Sequence, residues 1–368
     1  MHLHQRSLVN VIRKHYALLM IVISLAFMPV QIASANADAQ KNAQSTAKKK
    51  YIKKTNYKKT KISKREARRL AIAKQRAIDL GENYDGTQSP TLASNRVLVV
   101  KQNTGEVVFA KNTTSLSPIA SITKLMTAMV ILDAKQSLDE IIYISDADVD
   151  TIKGTRSRLP VGTSLSRGDM LQLALMSSEN RAAFALASNY LGGRTAFTKA
   201  MNTKALSLGM MNSRFTEPTG LMYQNTSTAE DLYILVSAAH QYPEIRNATT
   251  TVDYDIYING REKPLHFKNT NTLVRGGEWD IGLSKTGYIN EAGRCLVMQA
   301  TIANEPMILV FLDAAATNKR TGDAIRIRKW VEHQQQNNHN LLAEHVVTPQ
   351  HDELQPNLVM TDAIYDNE

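Results

Sequence analysis

The sequence predicts an α/β fold of the α+β kind. One five-stranded antiparallel sheet is expected from the two ends of the folded region, with a helical subdomain inserted between them. Two β-rich runs come first, a block of helical periodicity follows, and three β-rich runs close the region. Strands and helices gathered in blocks, rather than alternating, favour antiparallel pairing with segregated helices.

The elements follow in order. "RVLVVKQNTGEVVFAK", from Arg96, holds two β-rich runs around an Asn-Thr-Gly turn and reads as a hairpin. "SITKLMTAMVILDA", from Ser121, has apolar residues at 122, 125, 126, 129, 130 and 132, a helical spacing. "RGDMLQLALM" and "NRAAFALASNYL" read as two further helices joined by "SSE", the second ending at Gly192-Gly193. "AFTKAMNTKALSLG" and "STAEDLYILVSAAHQY" continue the helical block. "DYDIYINGREKPLHF" carries an Asn-Gly hairpin signal. "DIGLSKTGYI", "RCLVMQATIA" and "MILVFLDAA" are strand candidates, and "GDAIRIRKWVEH" a closing helix. There is no internal repeat.

The flanks differ from this core. Arg6, Arg13 and Lys14 precede the apolar run "YALLMIVISLAFMPV", and "QIASANADA" follows it. A charged start, a short apolar stretch and small residues at alternate positions predict a secretory signal over residues 1–37, cut after Ala35 or Ala37. The run from Tyr16 to Val30 is shorter than the roughly 20 residues a membrane span needs. The single cysteine, Cys295, excludes an intrachain disulfide and lies in an apolar, strand-like run, as a buried structural thiol would.

The net charge of +10 is unevenly placed. Residues 41–80 hold fifteen basic and two acidic residues, whereas the 288 residues after them hold 26 basic and 31 acidic. The basicity therefore belongs to a segment, residues 38–93, that reads as a largely disordered linker whose second half can form a basic helix. In an exported chain no nucleic-acid partner is expected. Two readings of the basic stretch 41–78 stay open: a solvated spacer, or a contact with an anionic envelope surface. Residues 334–368 carry six acidic residues and no Lys or Arg, and read as a disordered acidic tail. The folded body is expected at 94–333.

Ser121-x-x-Lys124 opens the first predicted helix, Ser178-Glu179-Asn180 lies between two helices, and Lys285-Thr286-Gly287 lies on a strand at the sheet edge. Each pattern alone is weak. "STAK" at Ser45 and "SAN" at Ser34 reproduce two of them by chance. Context and order distinguish the three, with 57 residues between the two serines and 107 from Ser178 to Lys285.

A serine hydroxyl is a poor nucleophile unless a base removes its proton. On a helix, residue i+3 shares a face with residue i, so Lys124 can reach Ser121. To act as a base Lys124 must be neutral. Lowering a lysine pKa from about 10.4 to about 7 corresponds to roughly 4.6 kcal/mol. Desolvation supplies part of this, and repulsion from a second cation, Lys285, would supply more. The helix N-terminus also offers N–H groups to an oxyanion. No pair of the nine histidines has a metal-ligand context, and no Gly-rich phosphate loop is present, so neither a metal nor a cofactor is expected.

These three motifs, in this order, resemble the penicillin-recognising serine acyl-transferases. "PIASITKLMTA", "FTEPTGL", "STAEDL" and "KTGYINEAGRCLV" look like the low-molecular-mass D-alanyl-D-alanine peptidases, most of all the penicillin-binding protein 7/8 endopeptidases. The likeness covers about residues 94–333 and neither tail. It implies a penicillin-binding, β-lactamase-like transpeptidase fold and a periplasmic enzyme acting on peptidoglycan stem peptides; loose association with membrane or wall is an expectation from the charge of the basic stretch alone. It also implies β-lactams as covalent inhibitors and a set of roles. Ser121 is the nucleophile and Lys124 its base. Ser178 shuttles a proton to the leaving amine, and Asn180 holds Lys124 and the substrate backbone. Lys285 and Thr286 bind the substrate carboxylate, and Gly287 lets the strand approach the peptide. The N–H groups of Ser121 and Tyr288 form the oxyanion hole.

Three rival readings follow. A class A β-lactamase shares the motifs but needs Glu-x-x-Leu-Asn, whereas "EPTGL" places Gly220 and Leu221 at the last two positions, so Glu217 reads as structural. A catalytically idle wall-binding or scaffolding protein is disfavoured by the intact Ser/Lys/Ser/Asn/Lys set. A carboxypeptidase of this family usually carries a β-rich second domain and an amphipathic C-terminal helix. Here about 50 residues, ending in an acidic tail, follow the last strand, which favours an endopeptidase.

Overall fold

The computed structural model describes residues 64–258 and 260–346. The expected signal segment, the first half of the basic linker and the last 22 residues lie outside the described residues.

Helix α1 (Lys64–Asp79) is followed by strands β1 (Arg96–Lys101) and β2 (Val107–Lys111) and the short β3 (Ser117–Pro118). A 3-10 turn over Ala120–Ile122 leads into α2 (Thr123–Asp133). Next come β4 (Ile141–Tyr143), β5 (Ser164–Ser166), α3 (Arg167–Met176), α4 (Asn180–Ser188) and α5 (Gly193–Ser207). β6 (Thr226–Ser227), α6 (Ala229–Ala239) and α7 (Pro243–Thr250) complete the helical block. The hairpin strands β7 (Asp253–Ile256) and β8 (Leu265–Lys268) and the short α8 (Thr272–Gly276) come next. β9 (Ile281–Ile289), β10 (Gly293–Ile302), β11 (Glu305–Ala314) and α9 (Thr317–Val346) close the order.

The main sheet has the order β2-β1-β11-β10-β9 and is antiparallel throughout. Its N-terminal and C-terminal strands meet where β1 pairs with β11, Val99 opposite Leu309. The central strands read as unbroken apolar runs because both faces are covered. Leu98, Val100, Val297, Ile308 and Val310 face the helical block, where Leu125, Met129, Leu173 and Phe197 pack. Val97, Val99, Leu296, Met298, Leu309 and Phe311 face the other way, toward Ala324 and Ile327 of α9. Successive strand residues thus feed opposite cores, as a two-residue period requires.

Three boundaries differ from the sequence expectation. The body does not begin at residue 94. Residues 78–92 pack on α9, where Arg326 donates to Ile78 O at 2.7 Å, Lys329 to Tyr84 O at 3.0 Å, and Leu92 joins the outer core. Nor does the closing helix end at 333, since it runs on to Val346. Polar residues facing solvent carry no apolar period, so its continuation left no signal. Last, Ile256 pairs with Leu265, which leaves eight residues between β7 and β8 rather than a two-residue Asn-Gly turn.

The upstream segment is fixed by one buried carboxylate. Asp323 is fully buried on α9 and accepts from Ala93 N at 2.9 Å, Ser94 N at 2.7 Å and Ser94 Oγ at 2.7 Å. Asp323→Ala leaves two backbone N–H groups without acceptors, each costing about 1–3 kcal/mol. It should lower the unfolding free energy by about 3 kcal/mol in a urea titration, with Asp323→Asn losing less.

Candidate active site

The Ser121 segment is built by close backbone approach. Ser117–Pro118 pairs with Thr226–Ser227, and Ile119 N donates to Asn225 O at 3.0 Å, so the 3-10 turn is anchored just before the serine. Ala120 takes φ +47°. Two glycines flank this turn. A Cβ on Gly220, at φ +83°, would lie 1.8 Å from Ala120 O. A Cβ on Gly287 would lie 3.1 Å from Ile119 O, Ala120 Cβ and Ser121 N. The sequence expectation tied Gly287 to substrate approach, but its smallness already serves to seat the Ser121 turn on β9. The same contact sets the Ser121 and Tyr288 N–H groups on abutting segments.

Ser121 is half-buried, and its Oγ lies 3.0 Å from Lys124 Nζ. Lys124 is itself buried. Its Nζ donates to Asn180 Oδ1 at 2.7 Å and to Thr219 O at 2.8 Å. Neither oxygen can donate back. A neutral amine has two N–H groups and one lone pair. Both N–H groups are therefore spoken for, and the lone pair is left facing the Ser121 hydroxyl.

The Asn180 amide is held by a further chain. Its Nδ2 donates to Thr155 Oγ1 at 3.0 Å, and Thr155 Oγ1 donates to Asp150 Oδ2 at 2.5 Å. Asp150 also accepts from the N–H groups of Ile152, Lys153 and Thr155 at 2.8–3.0 Å. These bonds hold its carboxyl below the ordinary carboxylate range against the opposing effect of burial. In the neutral form of Lys124 donation runs one way, from Ser121 through Lys124, Asn180 and Thr155 to Asp150; in the ammonium form Lys124 donates to Ser121 Oγ as well.

Burial pushes the Lys124 ammonium down to about 8, against the pull of Glu217, Glu179 and Asp150, which favour its charge. That corresponds to about 3 kcal/mol against the charged form. The repulsion expected from Lys285 falls on the other partner. Lys285 is held well below its ordinary value, first by burial, then by the charges of Lys124 and Arg320.

Lys285 extends from β9 to Ser178 Oγ at 2.9 Å, joining the edge strand to the turn before α4. Ser178 occupies that turn with φ +62°, whereas Asn180 is the first residue of α4 rather than part of the turn. Thr286 Oγ1 donates to Thr270 Oγ1 at 2.7 Å. Tyr288 is exposed, with the Arg294 guanidinium stacked 3.5 Å from its ring centroid. Hydrogen bonds link Ser121, Lys124 and Asn180, and link Ser178 to Lys285, while Gly287 abuts the Ser121 turn with Thr286 and Tyr288 beside it on β9.

Glu217 faces away from solvent. It accepts from Thr219 N at 2.7 Å, Gly220 N at 2.5 Å and Asn225 Nδ2 at 3.1 Å. It shapes the loop that supplies Thr219 O and Gly220, which agrees with its structural reading. Cys295 is fully buried, and burial raises its thiol to about 11.

Sequence reasoning missed Asp150, Thr155, Thr219, Thr270 and Arg320. Arg320 is buried and donates to Gly287 O at 3.0 Å and Cys295 O at 2.9 Å. The nearest readable signal was Gly220, a turn glycine one residue after Thr219. Among the described residues no group of three or more His, Cys, Asp or Glu side chains could hold a metal, and no helix is long and apolar enough to cross a membrane.

Residues 83–316 match the peptidase S11 family, described as D-alanyl-D-alanine carboxypeptidase. The chain is similar to a D-alanyl-D-alanine endopeptidase of Pseudomonas aeruginosa, 51% identical over 241 residues, covering 66% of this chain and 78% of that one. It is 48% identical over 243 residues to a D-alanyl-D-alanine endopeptidase of Escherichia coli, again covering 66% and 78%. Among solved structures, the Streptomyces K15 DD-transpeptidase aligns with TM-score 0.62 at 29% identity, over 66% of this chain and 98% of that one.

The two glycines give a graded test. Gly220→Ala combines a strained φ with backbone overlap and must displace the Ser121 turn. Misplacement by about 1 Å can cost on the order of 100-fold in rate. Gly287→Ala meets contacts of 3.1 Å and needs shifts of a few tenths of an ångström. Labelling of Ser121 by a fluorescent penicillin should fall roughly 100-fold in Gly220→Ala and less in Gly287→Ala; the reverse order would contradict this packing.

Proposed function

The chain belongs to the D-alanyl-D-alanine carboxypeptidase family of serine peptidases, and on that premise we propose that it is a D-alanyl-D-alanine endopeptidase that cuts peptidoglycan cross-links through an acyl-enzyme on Ser121. The observation that carries this reading is Lys124, a buried amine 3.0 Å from the Ser121 hydroxyl whose other two contacts only accept. Neutral Lys124 takes the Ser121 proton as Oγ attacks the D-alanyl carbonyl. The N–H groups of Ser121 and Tyr288 stabilise the oxyanion. Ser178, bonded to Lys285, passes a proton to the departing amine, which breaks the peptide bond and leaves an ester on Ser121. Water then hydrolyses the ester. Lys285 and Thr286 bind the carboxylate beside the scissile bond, and Asn180 keeps Lys124 aligned.

Two features support an endopeptidase that remodels existing wall over its rivals. The named relatives at 48–51% identity are endopeptidases. Against a β-lactamase, the Glu217 carboxylate is engaged by Thr219, Gly220 and Asn225, so it holds no hydrolytic water at the acyl-enzyme. β-Lactams should therefore acylate the enzyme and leave slowly. A carboxypeptidase activity on terminal D-alanine is compatible with the same site. The reading places the enzyme in the periplasm, with the basic stretch 41–78 free to touch anionic envelope surfaces.

Penicillin labelling tests the chemistry. Acylation should rise with pH along a limb centred near the Lys124 value of about 8, falling tenfold per unit below it, because only the neutral amine can accept the proton. Ser121→Ala and Lys124→Arg should both abolish labelling, the latter because arginine stays protonated, with the circular dichroism spectrum retained. Digestion of purified sacculi should remove cross-linked dimers on chromatography. Loss of terminal D-alanine alone would refute the endopeptidase assignment.

A further inference from the structure

One ion pair joins the loop at 150–155 to the turn after β9. Lys153 Nζ, on the loop that Asp150 organises, lies 2.5 Å from Glu291 Oε1, in the turn between β9 and β10. The two residues are 138 positions apart, and their side chains are 30% and 38% exposed. Neither takes part in the chemistry described above. The pair joins the Asp150 loop to the sheet just beyond Tyr288, and Ala292 N donates to Ile289 O to close the turn that carries Glu291.

The direction of the substrate follows from the order of roles along β9, and it rests on the proposed function. The carboxylate on the leaving side is held at Lys285 and Thr286, and the reacting carbonyl at Tyr288 N. The acyl part of the stem peptide must then continue past Tyr288, toward Glu291. At about 3.3 Å per residue, the residue before the D-alanine lies within one long side chain's reach of Glu291. That residue is the third of the stem, a diamino acid whose side chain ends in an amine alone or in an amine with a carboxylate.

We propose that Lys153 and Glu291 form the subsite for a zwitterionic third-residue side chain, opening toward each other's substitute charges when the stem binds. A partly exposed ion pair contributes little to stability, so parting it is easy. A side chain ending in both charges gives Lys153 a carboxylate and Glu291 an ammonium. An amine alone satisfies Glu291 and strands Lys153. A neutral side chain satisfies neither. Arg294 is a poorer candidate for the carboxylate because its guanidinium is stacked on Tyr288.

The test compares hydrolysis of three stem peptides with meso-diaminopimelate, lysine or norleucine at position three. Wild-type kcat/KM should fall in that order, by roughly fivefold or more at the first step. Lys153→Gln should bring the diaminopimelate-to-lysine ratio close to one. Glu291→Gln should lower both charged peptides toward norleucine. Each ratio is internal to one protein, so a partly folded preparation does not alter it. A wild type that acylates with penicillin but does not discriminate among the peptides overturns this subsite alone. Equal loss on all three peptides in Lys153→Gln overturns it too. A wild type that penicillin does not label overturns the proposed function, and the subsite with it.

Discussion

A carboxylate can accept hydrogen bonds but not give them, and the site is ordered outward from that fact. Asp150 forces Thr155 to donate, which leaves Thr155 as acceptor for the Asn180 amide, which in turn presents its oxygen to Lys124. With Thr219 O taking the second N–H, the one remaining orbital of a neutral Lys124 points at Ser121. Polarity rather than mere proximity distinguishes this lysine from one that happens to lie near a hydroxyl. Desolvation then decides whether the orbital is free: burial dominates the three carboxylates that would keep the proton on.

The fold supplies the two walls that this arrangement needs. The sheet is rigid because both faces are buried, so its edge strand β9 can carry Lys285, Thr286 and Gly287 as a fixed rail. The opposite wall is a set of turns, 150–155, 178–180 and 217–220, held by polar contacts instead of packing. Each includes a conformation or a bond that sequence periodicity does not encode: the Asp150 bonds, Ser178 at φ +62° and Gly220 at φ +83°.

That division explains what was legible. The five-stranded antiparallel sheet and the inserted helical block followed from period and sequence order, because apolar runs of different periodicity cannot exchange roles. The motif residues could be singled out because their spacing falls within short segments. Thr219 acts through its carbonyl, a group every residue has, so no side-chain pattern announces it. Asp150 and Thr155 act at one remove and are separated by four ordinary loop residues. Ordered packing upstream of 94 and helix beyond 333 escaped notice for a related reason: the upstream segment is held by backbone N–H groups on Asp323, and polar helices continue without apolar marks.

Arg320 carries a consequence in time. Its guanidinium, near the start of the last helix, takes the carbonyls of Gly287 and Cys295, and Gly287 is the floor on which the Ser121 turn rests. The nucleophile lies in the first third of the chain, yet its support is completed by residues some 200 positions later. Contacts of such long sequence separation form late and slowly. A chain still emerging, or one crossing a membrane unfolded, therefore holds a serine beside a solvated, charged Lys124 and without an oxyanion hole. Hydrolytic power appears only once the whole body has closed, so an unfinished molecule cannot damage the polymer it is made to trim.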